Sequence, residues 1–110
     1  MKIELLYFDG CPSWKNGLKD LQSALKEEGL NAPIDMIEVK DNEQANRLKF
    51  LGSPSLRVDG QELWPEEREI YALSCRVYPS PEGIKGWPTI TMIRQKLHHV
   101  MKENSNDYQE

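Results

Sequence analysis

Cys11 is the residue best placed by its neighbours to do chemistry. It follows an apolar run, Ile3 to Phe8, that Asp9-Gly10 ends abruptly, and it precedes Pro12-Ser13-Trp14, where a helical pattern opens. A cysteine at the start of a helix faces unpaired backbone N–H groups and the positive end of the helix dipole, and both favour thiolate over thiol. The thiolate attacks in disulfide exchange, so Cys11 is the candidate nucleophile, with the ammonium of Lys15 one turn on as a helper. The bland alternative is a buried, inert cysteine in a strand-to-helix loop.

Cys75 is the second thiol. It falls in Ala72 to Tyr78, which alternates like a strand partnered with Leu56 to Val58, and the far end of such a strand returns toward Cys11. Three readings stand open for it: a small half-buried core residue, a resolving thiol, or half of a soft-metal pair. A bridge to Cys11 requires Cα atoms within about 7 Å, and two thiolates without a third ligand make a poor zinc site. His98-His99 reads as a solvated helix end. Tyr7, Trp64 and Trp87 either pack or line a groove beside Cys11, and Glu66-Glu67-Arg68-Glu69 reads as a solvated loop.

The elements that must position these residues follow from periodicity and punctuation. Ile3 to Phe8 is a strand, central and buried on both faces. From Trp14 the apolar positions Leu18, Leu21, Ala24 and Leu25 mark one face of a helix that starts at Pro12-Ser13 and ends at Gly29. Pro33 to Val39 is a second strand, and Glu43 to Leu51 is a short helix capped by Asp41 or Asn42 and stopped by Gly52. Leu56 to Val58 is a third strand that turns at Asp59-Gly60. Residues 61 to 70 form a loop, Ala72 to Tyr78 is the fourth strand, and Pro88 starts a final helix carrying Ile90, Ile93, Leu97 and Met101 on one face. A helix crossover between the first two strands makes them parallel. The expected architecture is therefore α/β, a four-stranded mixed sheet in spatial order 2-1-3-4 flanked by helices, over residues 1–102 with a polar, disordered tail at 103–110.

Composition removes several function classes. At 110 residues the chain is one domain, large enough to bury a core without disulfide staples. A net charge of −4 with no basic cluster removes the electrostatic term that nucleic-acid binding needs. No apolar run approaches the ~20 residues of a membrane helix, and an N-terminus carrying Glu4 and broken at Asp9-Gly10 is not a signal peptide. The expected compartment is the reducing cytoplasm, where a structural disulfide is not expected. No flavin or nicotinamide fingerprint is present, so no cofactor is expected and any reductase is a separate protein.

This order of elements, with Cys11-Pro12-Ser13-Trp14 at the first strand-to-helix junction, Gly52-Ser53-Pro54-Ser55-Leu56 before the third strand and Gly86-Trp87-Pro88-Thr89 before the last helix, resembles the thioredoxin/glutaredoxin superfamily over residues 2 to 102. More narrowly, Val58-Asp59-Gly60, Ser74-Cys75-Arg76-Val77-Tyr78 and Pro88-Thr89 are similar to small bacterial thioredoxin-like proteins, some associated by name with mercury handling. The resemblance implies a cis Ser53–Pro54 peptide facing the Cys11 thiol. It also implies that Ser53 offers its backbone N–H and C=O to an extended substrate or glutathione. The second motif cysteine is replaced by Trp14, so the implied activity is monothiol thiol–disulfide exchange, with Cys11 and Cys75 as catalytic candidates and Pro12, Trp14, Ser53 and Pro54 as substrate contacts. The partner is then a glutathione-like small thiol or a protein thiol or disulfide. A non-enzymatic module that binds a partner, or a soft metal such as Hg(II), through thiolates is the alternative.

Overall fold

The computed structural model describes residues 1–108, with side chains over 1–102. It is a mixed α/β structure of three helices and a four-stranded mixed sheet in the order β2-β1-β3-β4, with a separate two-stranded hairpin. Strand β1 (Ile3–Tyr7) lies parallel to β2 (Ile34–Glu38) and antiparallel to β3 (Ser55–Val58). It is the central strand, and helix α1 (Ser13–Glu27) makes the crossover to β2.

The pleat sorts the core into two layers. Ile3 and Leu5 of β1, with Leu56 and Val58 opposite them on β3, meet Leu21, Ala24 and Leu25 of α1 and Ile93 and Leu97 of α3 (Ile90–Tyr108). Leu6 points the other way, onto Val39, Phe50 and Ala45 of α2 (Asn42–Leu48). Helices thus cover both faces. The Asp41 carboxylate caps α2 by accepting from Gln44 N–H at 2.8 Å, and Lys49 ends it in the left-handed region. The Thr89 hydroxyl accepts from Met92 N–H at the start of α3. The tail expected at 103–110 begins where side chains are no longer described, and residues 109–110 lie outside the described residues.

One element differs from expectation. The fourth strand is Gln61–Glu62 (β4), directly after the Asp59-Gly60 turn, and not Ala72 to Tyr78. A tight turn with both central residues at positive φ returns the chain at once onto the β3 edge. Two residues, Arg57 and Val58, are paired in that way, and the edge is then taken. Residues 72–77 run outside the sheet as an extended strap. Tyr78–Ser80 (β5) and Gly83–Lys85 (β6) form the separate hairpin.

Candidate functional site

Cys11 sits one residue ahead of Pro12, which holds the N-cap position of α1 with φ −67°. Its own N–H donates to Phe8 O at 3.0 Å, which fixes the turn out of β1. The first turn of α1 carries no acidic residue and no side-chain cap, so the helix itself supplies no carboxylate or capping oxygen to offset its positive end beside the sulfur. Cys11 is nevertheless buried, at 4% exposure.

The reason is Cys75. The two cysteines are joined in a disulfide with Cα atoms 5.8 Å apart, 64 residues apart in sequence. The expectation of a half-buried Cys75 inside a sheet strand fails with the strand itself: Cys75 is an exposed residue of the strap, and the buried partner is Cys11. Of the three readings left open by the sequence, the two that need Cys75 to reach Cys11, as a resolving thiol or as half of a thiol pair, both have the proximity they require.

Ser53–Pro54 is a cis peptide, and the Cys11 sulfur lies 4.0 Å from Ser53 O. Pro54 is fully buried, and α1 reaches it through Gly17, where an added Cβ would come within 2.9 Å of Pro54 Cγ. Ser55 Oγ donates to Gly52 O at 2.5 Å and Tyr78 Oη donates to Pro54 O at 2.5 Å, so the loop is tied on both sides of the proline. Burial pushes the Tyr78 phenol well above its ordinary value, so it stays a donor. Ser53 itself is fully buried, and its hydroxyl has no hydrogen-bond partner.

The backbone of Ser53 is already engaged. Its N–H donates to Ser74 O at 2.8 Å, and its carbonyl accepts from Arg76 N–H at 3.0 Å, a parallel bridge centred on Cys75. Gly52, at φ +118°, permits this approach, because a Cβ there would lie 2.9 Å from Arg76 Cβ and 3.2 Å from Arg76 N. Side chains of α2 hold the strap further along: Tyr71 N–H donates to Asn46 Oδ1 at 3.1 Å and Leu73 N–H to Asn42 Oδ1 at 3.0 Å.

Arg76 was not singled out by sequence reasoning. Its guanidinium sits over the Tyr78 ring at 5.1 Å, donates to Trp64 O and lies 3.6 Å from Glu62, with the side chain 9% exposed. Glu62 also takes Arg57 Nε at 2.6 Å. Burial still raises the Glu62 carboxyl above its ordinary value, against the opposing pull of the two arginines. An arginine directly after a cysteine was the available signal, but only the strap's path gives it a partner.

The remaining candidates are spread. Trp14 packs on Tyr7 at 4.5 Å between ring centroids, with its indole N–H buried and unpartnered. Trp64 meets Tyr78 edge-on at 5.2 Å, and Trp87 hydrogen-bonds Asp20, so the three aromatics expected to pack or to form a groove belong to separate contacts. Pro12 is exposed. His98 is exposed but contacts Glu28 at the end of α1. A cavity of about 480 Å³ runs between α1 and β2 past Leu18, Leu25, Ile34 and Met36, and includes neither cysteine. Among the described residues no group of three or more His, Cys, Asp or Glu side chains could hold a metal ion, and no helix is long and apolar enough to cross a membrane.

Chemically, the arrangement is a two-electron couple. Attack by an external thiolate on the exposed partner, Cys75, would expel Cys11 as the leaving thiolate at a helix N-terminus, where the anion is best stabilised. No family model, no curated protein and no solved structure matches this chain.

Proposed function

We propose that the chain is a small thioredoxin-like protein of thiol–disulfide exchange, with Cys11 as the attacking thiolate and Cys75 as the thiol that resolves the mixed disulfide. The observation that carries this reading is the junction itself. Cys11 stands at the uncapped start of α1, is bonded to Cys75, and has its sulfur 4.0 Å from the carbonyl of the residue preceding the cis proline. The sheet order and the positions of the motif residues support a thioredoxin-like assignment. Trp14 occupies the place of a second motif cysteine, which makes the initial attack a one-thiol event, and Cys75 supplies the second thiol from the strap.

The test is turnover of a disulfide substrate with a dithiol reductant. Cys11→Ser should abolish exchange, whereas Cys75→Ser, reduced and then freed of reductant, should make a single stoichiometric attack and accumulate the mixed disulfide. Exchange persisting in Cys11→Ser contradicts the assignment. A second reading is favoured by the pairing of two thiols without a third ligand group: reduced Cys11 and Cys75 would hold a two-coordinate thiophilic ion such as Hg(II). Stoichiometric Hg(II) uptake by the reduced protein, in the absence of any exchange turnover, would select it.

A further inference from the structure

The two backbone groups of Ser53 that an extended substrate would use are filled by the chain's own Ser74 and Arg76, with a cysteine between them bonded to Cys11. That is the arrangement of a polypeptide substrate caught as a mixed disulfide. We infer that residues 73–76 are a built-in occupant of the substrate edge, and that the substrate is an extended polypeptide presenting an apolar residue two before its cysteine and a basic residue directly after it. This inference rests on the exchange reading above and adds what the site takes.

The strap itself defines the subsites. Leu73 packs against the cluster of Leu6, Val39, Ala45 and Phe50, which is an apolar subsite two residues before the cysteine. Arg76 fills the subsite after it, formed by Glu62, the Trp64 carbonyl and the Tyr78 ring. Glu62 Oε1 and Arg76 Nη1, both buried, face each other at 3.6 Å as an ion pair without a hydrogen bond, so this pocket selects a cation through charge and the Trp64 carbonyl. Apart from the Leu73 and Arg76 side chains, the strap is held by two Ser53 backbone bonds, two asparagine side chains and the disulfide. Its backbone is outside the sheet, and Tyr71 and Leu73 depend on the side chains of Asn42 and Asn46.

The redox balance follows. A dithiol reductant attacks Cys75 Sγ, the Cys11–Cys75 bond breaks with Cys11 leaving as thiolate, and the second thiol of the reductant closes its own disulfide, releasing the Cys75 thiol. The strap can then leave Ser53. Cys11 thiolate attacks the substrate disulfide, forms a mixed disulfide on the vacated edge and expels one substrate thiolate. Cys75 thiolate then attacks Cys11 Sγ, which restores the internal disulfide and releases the second substrate thiol. Strap and substrate compete for one edge, so the resolving step also ejects the product.

The test uses the full chain carrying Cys75→Ser, so that Cys11 is the sole thiol, with and without Asn42→Ala and Asn46→Ala to loosen the strap. The probe is a synthetic peptide of residues 71–78 (Tyr-Ala-Leu-Ser-Cys-Arg-Val-Tyr), its cysteine carried as the mixed disulfide with thionitrobenzoate; a second peptide has glutamate in place of the arginine. The symmetric aromatic disulfide of thionitrobenzoate serves as a small probe. Loosening the strap should speed exchange with the arginine peptide about tenfold, and the glutamate peptide should react about tenfold slower, the scale of one charged hydrogen bond. Equal rates for the two peptides, or no effect of the asparagine changes while the small disulfide reacts with Cys11 normally, overturn this inference and leave the exchange reading standing. A Cys11 inert toward the small disulfide overturns both.

Discussion

Replacing Gly52 by alanine should make the Cys11–Cys75 bond easier to reduce. The new Cβ would sit 2.9 Å from Arg76 Cβ, 3.2 Å from Arg76 N and 3.3 Å from Arg76 Cα, and two of these three atoms are backbone that no rotamer change can move away. With the strap leaving Ser53 on reduction, as inferred above, the clash falls on the oxidised state alone. Overpacking of this kind costs about 1–3 kcal/mol, and since about 1.4 kcal/mol is tenfold in a two-electron exchange constant, the equilibrium should move about 5- to 150-fold toward dithiol. Gly52 also has φ +118°, which costs an alanine in either redox state. Gly60→Ala is the control for that part, because Gly60 has φ +83° and nothing within 4 Å of its absent Cβ. Both variants are equilibrated with graded ratios of reduced and oxidised dithiothreitol, trapped with a maleimide and counted by mass spectrometry. A Gly52→Ala midpoint that moves no further than that of Gly60→Ala would refute the selective clash, and with it the release of the strap from Gly52 and Ser53 on reduction.

Gly17→Ala would add a methyl against Pro54 Cγ at 2.9 Å. Thermal denaturation should therefore show a loss of stability, where relief of glycine in an open helix would give a gain of about 1 kcal/mol; a rise in Tm contradicts the close packing of α1 on the proline. Glu28 is held below its ordinary value of 4.5, first by the hydrogen bond from Arg94 and then by His98, which ties the end of α1 to α3. A carboxyl lowered in the folded state contributes stability that is present above its unfolded value and lost as pH falls through the folded one. Glu28→Gln should thus be less stable than the parent at neutral pH, with the gap closing below about pH 4.5 in chemical denaturation; a gap that stays constant on acidification would refute the linkage. Ser53→Ala removes a buried hydroxyl that makes no hydrogen bond, so its denaturation midpoint should stay at or above that of the parent. A loss of more than about 1 kcal/mol would show that the hydroxyl is paired in solution.

Much of the scaffold was legible because it depends on local signals. The apolar run ended by Asp9-Gly10, the one-sided spacing from Leu18 to Leu25, and the Asp59-Gly60 turn each specify an element without reference to the rest of the chain, and the sheet order 2-1-3-4 follows from their sequence. The identity of the fourth strand did not. Ala72 to Tyr78 has the stronger strand pattern, but Gln61–Glu62 reaches the β3 edge first because the turn delivers it there. Losing that edge places residues 71–77 in an extended path whose backbone hydrogen bonds come from Ser53, Asn42 and Asn46, partners more than 20 residues distant that no local pattern announces. The same displacement explains the cysteines. Cys11 could be read as a helix-start thiol from its neighbours alone, whereas the burial of Cys11, the exposure of Cys75 and the bond between them all depend on where the strap runs.

The attacking role of Cys11 is tested most directly by the ionisation of its thiol. In Cys75→Ser, the rate of alkylation by iodoacetamide is followed against pH with mass-spectrometric readout at Cys11. The uncapped, carboxylate-free start of α1 should hold the thiol below the reference value of about 8.5, by a unit or more, equivalent to ~1.4 kcal/mol in favour of the anion. A titration midpoint at or above about 8.5 would contradict the assignment of Cys11 as the nucleophile.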